Sequence, residues 1–380
     1  MIAKRAEDIP PFIVMDILEK AQAMERKGIR VIHLEVGEPD FDTPSCINEA
    51  AIRALADGQT HYTHSMGILE LREAICAHYH RTYGVSVSPD QIIVGNGTSP
   101  LFFLILSALL EVGDEVILSD PHYCCYPNFI NFLGGKPVTV PVYEADAFQF
   151  RAKAISEKIT DRTRAILINS PSNPTGNLLS ESRMKAIAAF SPYIISDEIY
   201  HGLVYEGDAH SILEFTDQAF VLNGFSKLHA MTGWRLGYVI SPPEFVRPLQ
   251  KINQNFFISA NTMTQWAGIA ALTEADADIR QMKETYNQRR RFMIDRLKKM
   301  GFGITVEPTG AFYVFANAKR FSRDSVQLSL DILEKAHVAV TPGIAFGKNG
   351  EGYIRFCYAN SIENIGEGMD RLETYLTNLS

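Results

Sequence analysis

Cysteine is scarce in this chain and poorly placed for cross-linking. The five residues Cys46, Cys76, Cys124, Cys125 and Cys357 are odd in number and show no C-x-x-C spacing, which argues against a disulfide framework and against a zinc site. Cys124 and Cys125 are adjacent, and neighbours in sequence rarely meet disulfide geometry without strain. All five are expected to be reduced thiols in a cytoplasmic protein. Long apolar runs are also missing. The longest, residues 101–110, is too short to span a bilayer and reads as a buried helix. The opening MIAKRAEDIPPF has no apolar stretch, so no secretory signal is expected. A surplus of positive charge is absent as well. The formal charge of −8 argues against broad nucleic-acid affinity, because no basic excess is available for phosphate contacts. Repeats and low-complexity tracts are not seen.

What is present is ordinary for a soluble globular protein. The 380 residues, 46% hydrophobic and 21% charged, can bury one large core and more readily two domains. Short apolar, β-rich runs alternate with helical stretches from about residue 47 to 270. Strands are expected at 91–94, 115–119, 137–142, 165–169, 193–196, 220–223 and 237–241, each bounded by Gly, Pro, Asp or Ser. Most are nearly continuous apolar runs, the pattern of strands covered on both faces, so an α/β fold with a mostly parallel sheet flanked by helices follows. After residue 270 the pattern changes. A charged helix at 286–300, a strand at 310–315, another helix and the apolar run 336–340 point to a smaller α+β domain. Residues 47–270 are assigned to the large domain; residues 1–46 and 271–380 to the small one.

The strongest chemical signal is NGFSKLHAMTGWRLG, residues 223–237. Lys227 follows an apolar strand and sits among small residues. A lysine held out of water loses proton affinity and becomes a usable amine nucleophile. Arg235 comes eight residues later, close enough to return to a shared anion site. A lone lysine on a loop is most often solvated; the accompanying segments reverse that weighting. NSPSNPTG, residues 169–176, is a strand end running into a turn, and strand ends in open α/β sheets are where ligands bind. SDEIY, residues 196–200, ends a strand on Asp197, where an isolated carboxylate is costly unless paired; a protonated ring nitrogen is one such partner. VGNGTSP, residues 94–100, joins a strand to a helix, and helix N-terminal amides with the Thr98 and Ser99 hydroxyls make a phosphate site. It is not G-x-G-x-x-G, which counts against a dinucleotide.

Taken with GEPDFDTP (37–44), YTHSMGILELR (62–72), PTGAFY (308–313) and GYIRF (352–356), these segments occur in the order found in one family. The chain resembles the class I aminotransferases of fold type I, in the branch related to bacterial aspartate and alanine aminotransferases. The resemblance implies pyridoxal 5'-phosphate as cofactor. It implies that Lys227 forms the Schiff base and then serves as general base and acid. Asp197 would hold the pyridine nitrogen protonated, which makes the ring an electron sink. Tyr200 and Asn173 would bond the ring oxygen, and Tyr123 would stack on the ring face. Gly97, Thr98, Ser226 and Arg235 would surround the phosphate, with Tyr62 arriving from a neighbouring subunit of a homodimer. Gly37 and Arg355 would bind the substrate backbone, Arg355 by a bidentate pair to the α-carboxylate. No metal is implied.

Two positions depart from the family pattern. Gly224 stands where many relatives carry a hydroxyl residue, so one phosphate contact is expected to be missing or replaced by water. Cys124 stands where proline is frequent. The expected activity is transfer of an amino group from an amino acid to a 2-oxo acid. The chief alternative is a carbon–sulfur β-lyase on the same fold, since function lives in the site and not in the fold. A cofactor-binding transcription regulator would need a DNA-binding module, and only 36 residues precede Gly37. Aspartate, alanine and aromatic amino acids all remain open as donors.

Overall fold

The computed structural model describes residues 2–378; Met1, Leu379 and Ser380, which the sequence reading gives to the small domain, lie outside the described residues. Seven strands build the central sheet: β1 (Ile92–Gly95), β2 (Glu115–Asp120), β3 (Lys136–Pro141), β4 (Thr163–Asn169), β5 (Tyr193–Asp197), β6 (Ala219–Gly224) and β7 (Gly237–Ile240). These are the seven runs expected from sequence, displaced by a residue or two at their ends. Their spatial order is β1-β7-β6-β5-β4-β2-β3. All pairings are parallel except those of β7, which runs antiparallel to β1 and β6. β1, β6 and β7 are buried along their whole length, as continuous apolar runs between two helical layers must be. β3 is an edge strand, and only Val140 in it is buried.

The order fixes where the chemistry gathers. The C-terminal ends of β1, β2, β4, β5 and β6 and the N-terminal end of β7 lie on one side of the sheet. The helix α1 (Thr98–Leu109) leaves the end of β1 with Gly97 at its N-cap, φ 90°. That left-handed backbone is natural only to glycine.

A second body of apolar packing gathers Ile32, Leu34 and most of the buried residues between Met282 and Leu376. Its sheet is antiparallel, with β8 (Tyr313–Asn317), β9 (Thr341–Pro342) and β10 (Tyr353–Cys357) in the order β9-β10-β8. The expected strand at 310–315 starts later, because the amides of Thr309 and Gly310 turn back to donate to the Gly176 carbonyl. The expected helix at 286–300 begins earlier and spans Asp276–Met300; Asp276 and Asp278 occupy its first turn, Lys298 and Lys299 its last, and Gly301 ends it. Acid at the start and base at the end match the helix dipole. Of the run 336–340, Val338–Ala339 forms a strand, paired in parallel with Ile32–His33. The N-terminal segment thereby packs with the C-terminal part of the chain.

Candidate active site

A cavity of about 330 Å³ opens between the sheet edge and the second body, and Gly37, Thr98, Tyr123, Asn173, Asp197, Tyr200, Ser226, Lys227, Arg235 and Arg355 all line it. Its size lies in the range of small-molecule sites. Ten of the twelve residues singled out from sequence thus meet in one place. Topology accounts for this: Asp197 closes β5, Lys227 lies three residues beyond β6, Arg235 two before β7, and Asn173 in the turn after β4.

Lys227 projects its amine into the cavity and donates to the Gly37 carbonyl at 2.7 Å. Burial pulls its pKa down to about 8, so the amine loses its proton far more readily than a solvated lysine. Asp197 is the opposite pole. Burial pushes its carboxyl up to about 6, against the pull of a hydrogen bond from Tyr126, a backbone amide and the Lys227 charge. Tyr126 Oη donates to its Oδ2 at 2.6 Å and the Ile199 amide to its Oδ1 at 3.2 Å. Asn169 stitches the strand ends together: its Nδ2 donates to the Asp197 carbonyl at 2.9 Å, and its Oδ1 accepts from the Asn173 amide at 2.8 Å.

Arg355 enters from β10. Its Nη1 donates to Asn173 Oδ1 at 2.9 Å, and its Nη2 reaches the Glu35 carbonyl and Thr341 Oγ1. The guanidinium lies over the rings of Tyr313 and Phe346, 4.4 and 4.8 Å from their centroids. Its buried Nε has no hydrogen-bond partner among the described residues. With two rings beside it and hydrogen bonds on both Nη atoms, the fork suits a planar carboxylate. Tyr200 and Tyr313 share a hydrogen bond at 2.8 Å between their hydroxyls. A Cβ on Gly37 would lie 1.9 Å from Tyr313 Oη, so only glycine allows the tyrosine to reach this position.

The other two expected residues stand apart from the lining. Gly97 lies beneath Arg235: a Cβ there would meet Arg235 Nη2 at 2.6 Å. Tyr62 is 82% exposed and is not among the residues that line the cavity. Of the two departures, Gly224 sits outside the lining, and a Cβ there would press on the Leu236 carbonyl at 3.0 Å; Cys124 does line the cavity. Sequence reasoning missed Tyr126, Tyr313 and the wall formed by Phe12, Val14 and Met15. Tyr313 ends the segment 308–313 and Tyr126 follows Tyr123 by three residues, but nothing in their spacing shows which way a phenol turns.

The profile of the family described as aminotransferase class I and II matches residues 29–372. A Methanocaldococcus jannaschii protein named (5-formylfuran-3-yl)methyl phosphate transaminase is 45% identical, with 99% of this chain and 100% of that one covered. An aspartate aminotransferase of Pyrococcus horikoshii is 41% identical over 99% of this chain and 97% of its own length. A solved structure from Methanococcus jannaschii, described as similar in its active site to kynurenine aminotransferases, superposes with a TM-score of 0.93 at 45% identity, covering 99% of this chain and all of that one. The carbon–sulfur lyase alternative finds no support among these relatives. The chain belongs to the class I and II aminotransferase family and is a transaminase.

Proposed function

We propose that this transaminase works with pyridoxal 5'-phosphate held in the 330 Å³ cavity, with Lys227 as its covalent anchor and proton carrier. The observation that carries this reading is the pairing of opposite demands in one space. Lys227 offers an amine of lowered basicity, and Asp197 offers a buried carboxylate within reach of that charge. The cradle fits the group. Arg235 over Gly97, the start of α1 at Thr98, and Ser226 suit a phosphate; Asp197, fixed by Tyr126, suits a protonated ring nitrogen. When bound, pyridoxal phosphate supplies an electron sink for the pair left by a broken Cα–H bond.

The chain's own residues do the rest. Arg355 and Asn173 bind the α-carboxylate and orient the substrate, which fixes the Cα–H bond relative to the amine. Lys227, whose amine projects into the cavity, would take the proton from Cα and hold it for return once the cofactor has accepted the electron pair. Tyr200, bonded to Tyr313, would bond the ring oxygen. The donor is an L-amino acid and the acceptor a 2-oxo acid.

Residues 47–270 serve as the cofactor domain, and 1–46 with 271–380 as the smaller one; the cluster of the smaller part also takes in Ile199, Tyr200, Leu203 and Ala230, where the two parts meet. The working unit is a homodimer. The cavity shares Glu38, Thr232 and Arg235 with a broad neighbouring groove of about 1010 Å³, and the exposed Tyr62 of a second copy is the group suited to enter it. The five thiols are all free, which supports a cytoplasmic setting. No helix among the described residues is long and apolar enough to cross a membrane. The test is spectroscopic: one amino donor should discharge the visible band of the purified protein, and a 2-oxo acid should restore it. A band indifferent to every donor would contradict the reading.

A further inference from the structure

Phe346, one of the two rings beside the Arg355 guanidinium, is fully buried, with its centroid 4.8 Å from that group. It ends the first of two short 3₁₀ turns, Gly343–Phe346 and Lys348–Gly350. These follow directly from β9, whose Thr341 pairs with Arg355. The turns belong to the smaller part of the chain but are fastened to the central sheet. Asp120, the last residue of β2, is buried, and its Oδ1 accepts from the Asn349 amide at 3.0 Å. The Asn349 side chain adds to this: its Nδ2 donates to the Asp120 carbonyl at 3.2 Å and to the Val142 carbonyl at 2.5 Å. Two residues beyond Asp120, the His122 amide donates to the Phe346 carbonyl at 2.8 Å. Gly347 lies between these bonds at φ 121°, so near the strand end that a Cβ on it would come within 2.2 Å of Asp120 Oδ1. Only glycine lets the turn settle there.

The fastening has a direction. β2 lies inside the seven-stranded sheet, paired on one side with β4 and on the other with β3, whereas Arg355 stands on the separate three-stranded sheet. A fork that must meet a carboxylate needs its own rotamer fixed by what packs beside it and by the shell that holds that neighbour. On the reading above, on which this inference rests, Arg355 is the α-carboxylate anchor. We propose that Asp120 and Asn349 are positioning residues of the reaction: they tie the 343–350 turns to the end of β2, so that Phe346 stands against the guanidinium and sets where the substrate carboxylate is received. Neither residue lines the cavity, so both act through Phe346 and Arg355 and not by touching substrate.

A double-mutant cycle on the holoenzyme tests this. Asn349→Ala should raise KM about fivefold for the amino donor and the 2-oxo acid alike, the scale of one or two lost hydrogen bonds, and leave kcat within about twofold of the parent. A second readout needs no turnover: calorimetric titration with succinate and with 3-phenylpropanoate, of which the tighter binder should weaken by the same factor. In an Arg355→Ala background the substitution should add nothing, because its effect passes through the arginine. Phe346→Leu keeps an apolar group in place and removes the ring, so it should raise KM in the same way, and it carries the test if Asn349→Ala does not fold. Asp120→Asn keeps an oxygen for the Asn349 amide and should lose less than Asp120→Ala. A merely structural role would lower the melting temperature with KM and carboxylate binding at parental values, or would add its full effect in the Arg355→Ala background; either result would overturn the proposal while the anchor reading stands. If Arg355→Ala itself leaves KM and carboxylate binding unchanged, the anchor reading falls and the proposal with it.

Discussion

The phenol of Tyr126 donates to Oδ2 of Asp197 at 2.6 Å, and both residues are buried at the end of the central sheet. This bond holds an acid whose pKa burial has already pushed to about 6 in its ionised form. Tyr126→Phe removes a hydrogen bond to a charged group, worth about 1.5–3 kcal/mol. The carboxyl should then become harder to ionise. Cofactor binding that depends on ionised Asp197 weakens as pH falls through its pKa, so in Tyr126→Phe the weakening should begin at higher pH than in the parent. Titration of apoprotein with cofactor across pH 5–8 measures this (~tenfold weaker binding near pH 6.5 is expected). Identical curves would show that the phenol does not tune the acid.

Lys227 yields a prediction of opposite sign. Its amine attacks an aldehyde only when unprotonated, and burial places its pKa at about 8 instead of the usual ~10.4. The rate at which apoprotein captures pyridoxal phosphate should rise with pH and level off just above 8. Stopped-flow absorbance across pH 6–10 reads it. A rise that continues beyond pH 10 would place the amine in water.

Arg355 is held by Asn173, Glu35 and Thr341 and flanked by two rings. Arg355→Ala should raise KM for amino and oxo substrates alike, by the equivalent of about 2–5 kcal/mol. Arg355→Lys should restore only part of this, because an ammonium lacks the planar fork. Full kinetics in Arg355→Lys would mean that the carboxylate is bound elsewhere.

The place of the cavity was legible in the sequence wherever one strand end supplies one lining residue. Lys227, Asp197 and Asn173 each follow an apolar run, so both their burial and their side of the sheet could be read. Arg355 was reached through the family resemblance, since its strand belongs to another sheet, and its contact with Asn173 crosses 182 residues of chain. The Tyr126–Asp197 and Tyr200–Tyr313 bonds were not legible, because a hydroxyl's direction depends on packing across 71 and 113 residues of chain. The start of β8 was misplaced for a similar reason: the Gly176 carbonyl, far away in sequence, claims the amides of Thr309 and Gly310.

Subunit sharing can be tested by complementation. Lys227→Ala and Tyr62→Ala should each be poorly active. In a symmetric dimer with shared sites, mixing them under exchange produces mixed dimers with one site intact in both residues. Activity should therefore rise on mixing, to as much as about a quarter of parental sites at equal amounts with random exchange. A flat result, with exchange confirmed independently, would place Tyr62 outside its partner's site.

The central claim is that Lys227 carries the cofactor, and borohydride tests it most directly. Reduction of the purified, yellow protein should fix the cofactor irreversibly to a single peptide, and fragment sequencing should place the label on Lys227. Lys227→Ala, treated alike, should carry no covalent cofactor and show no transamination. A label mapped to another lysine, or a Lys227→Ala protein that still transaminates, would contradict the account.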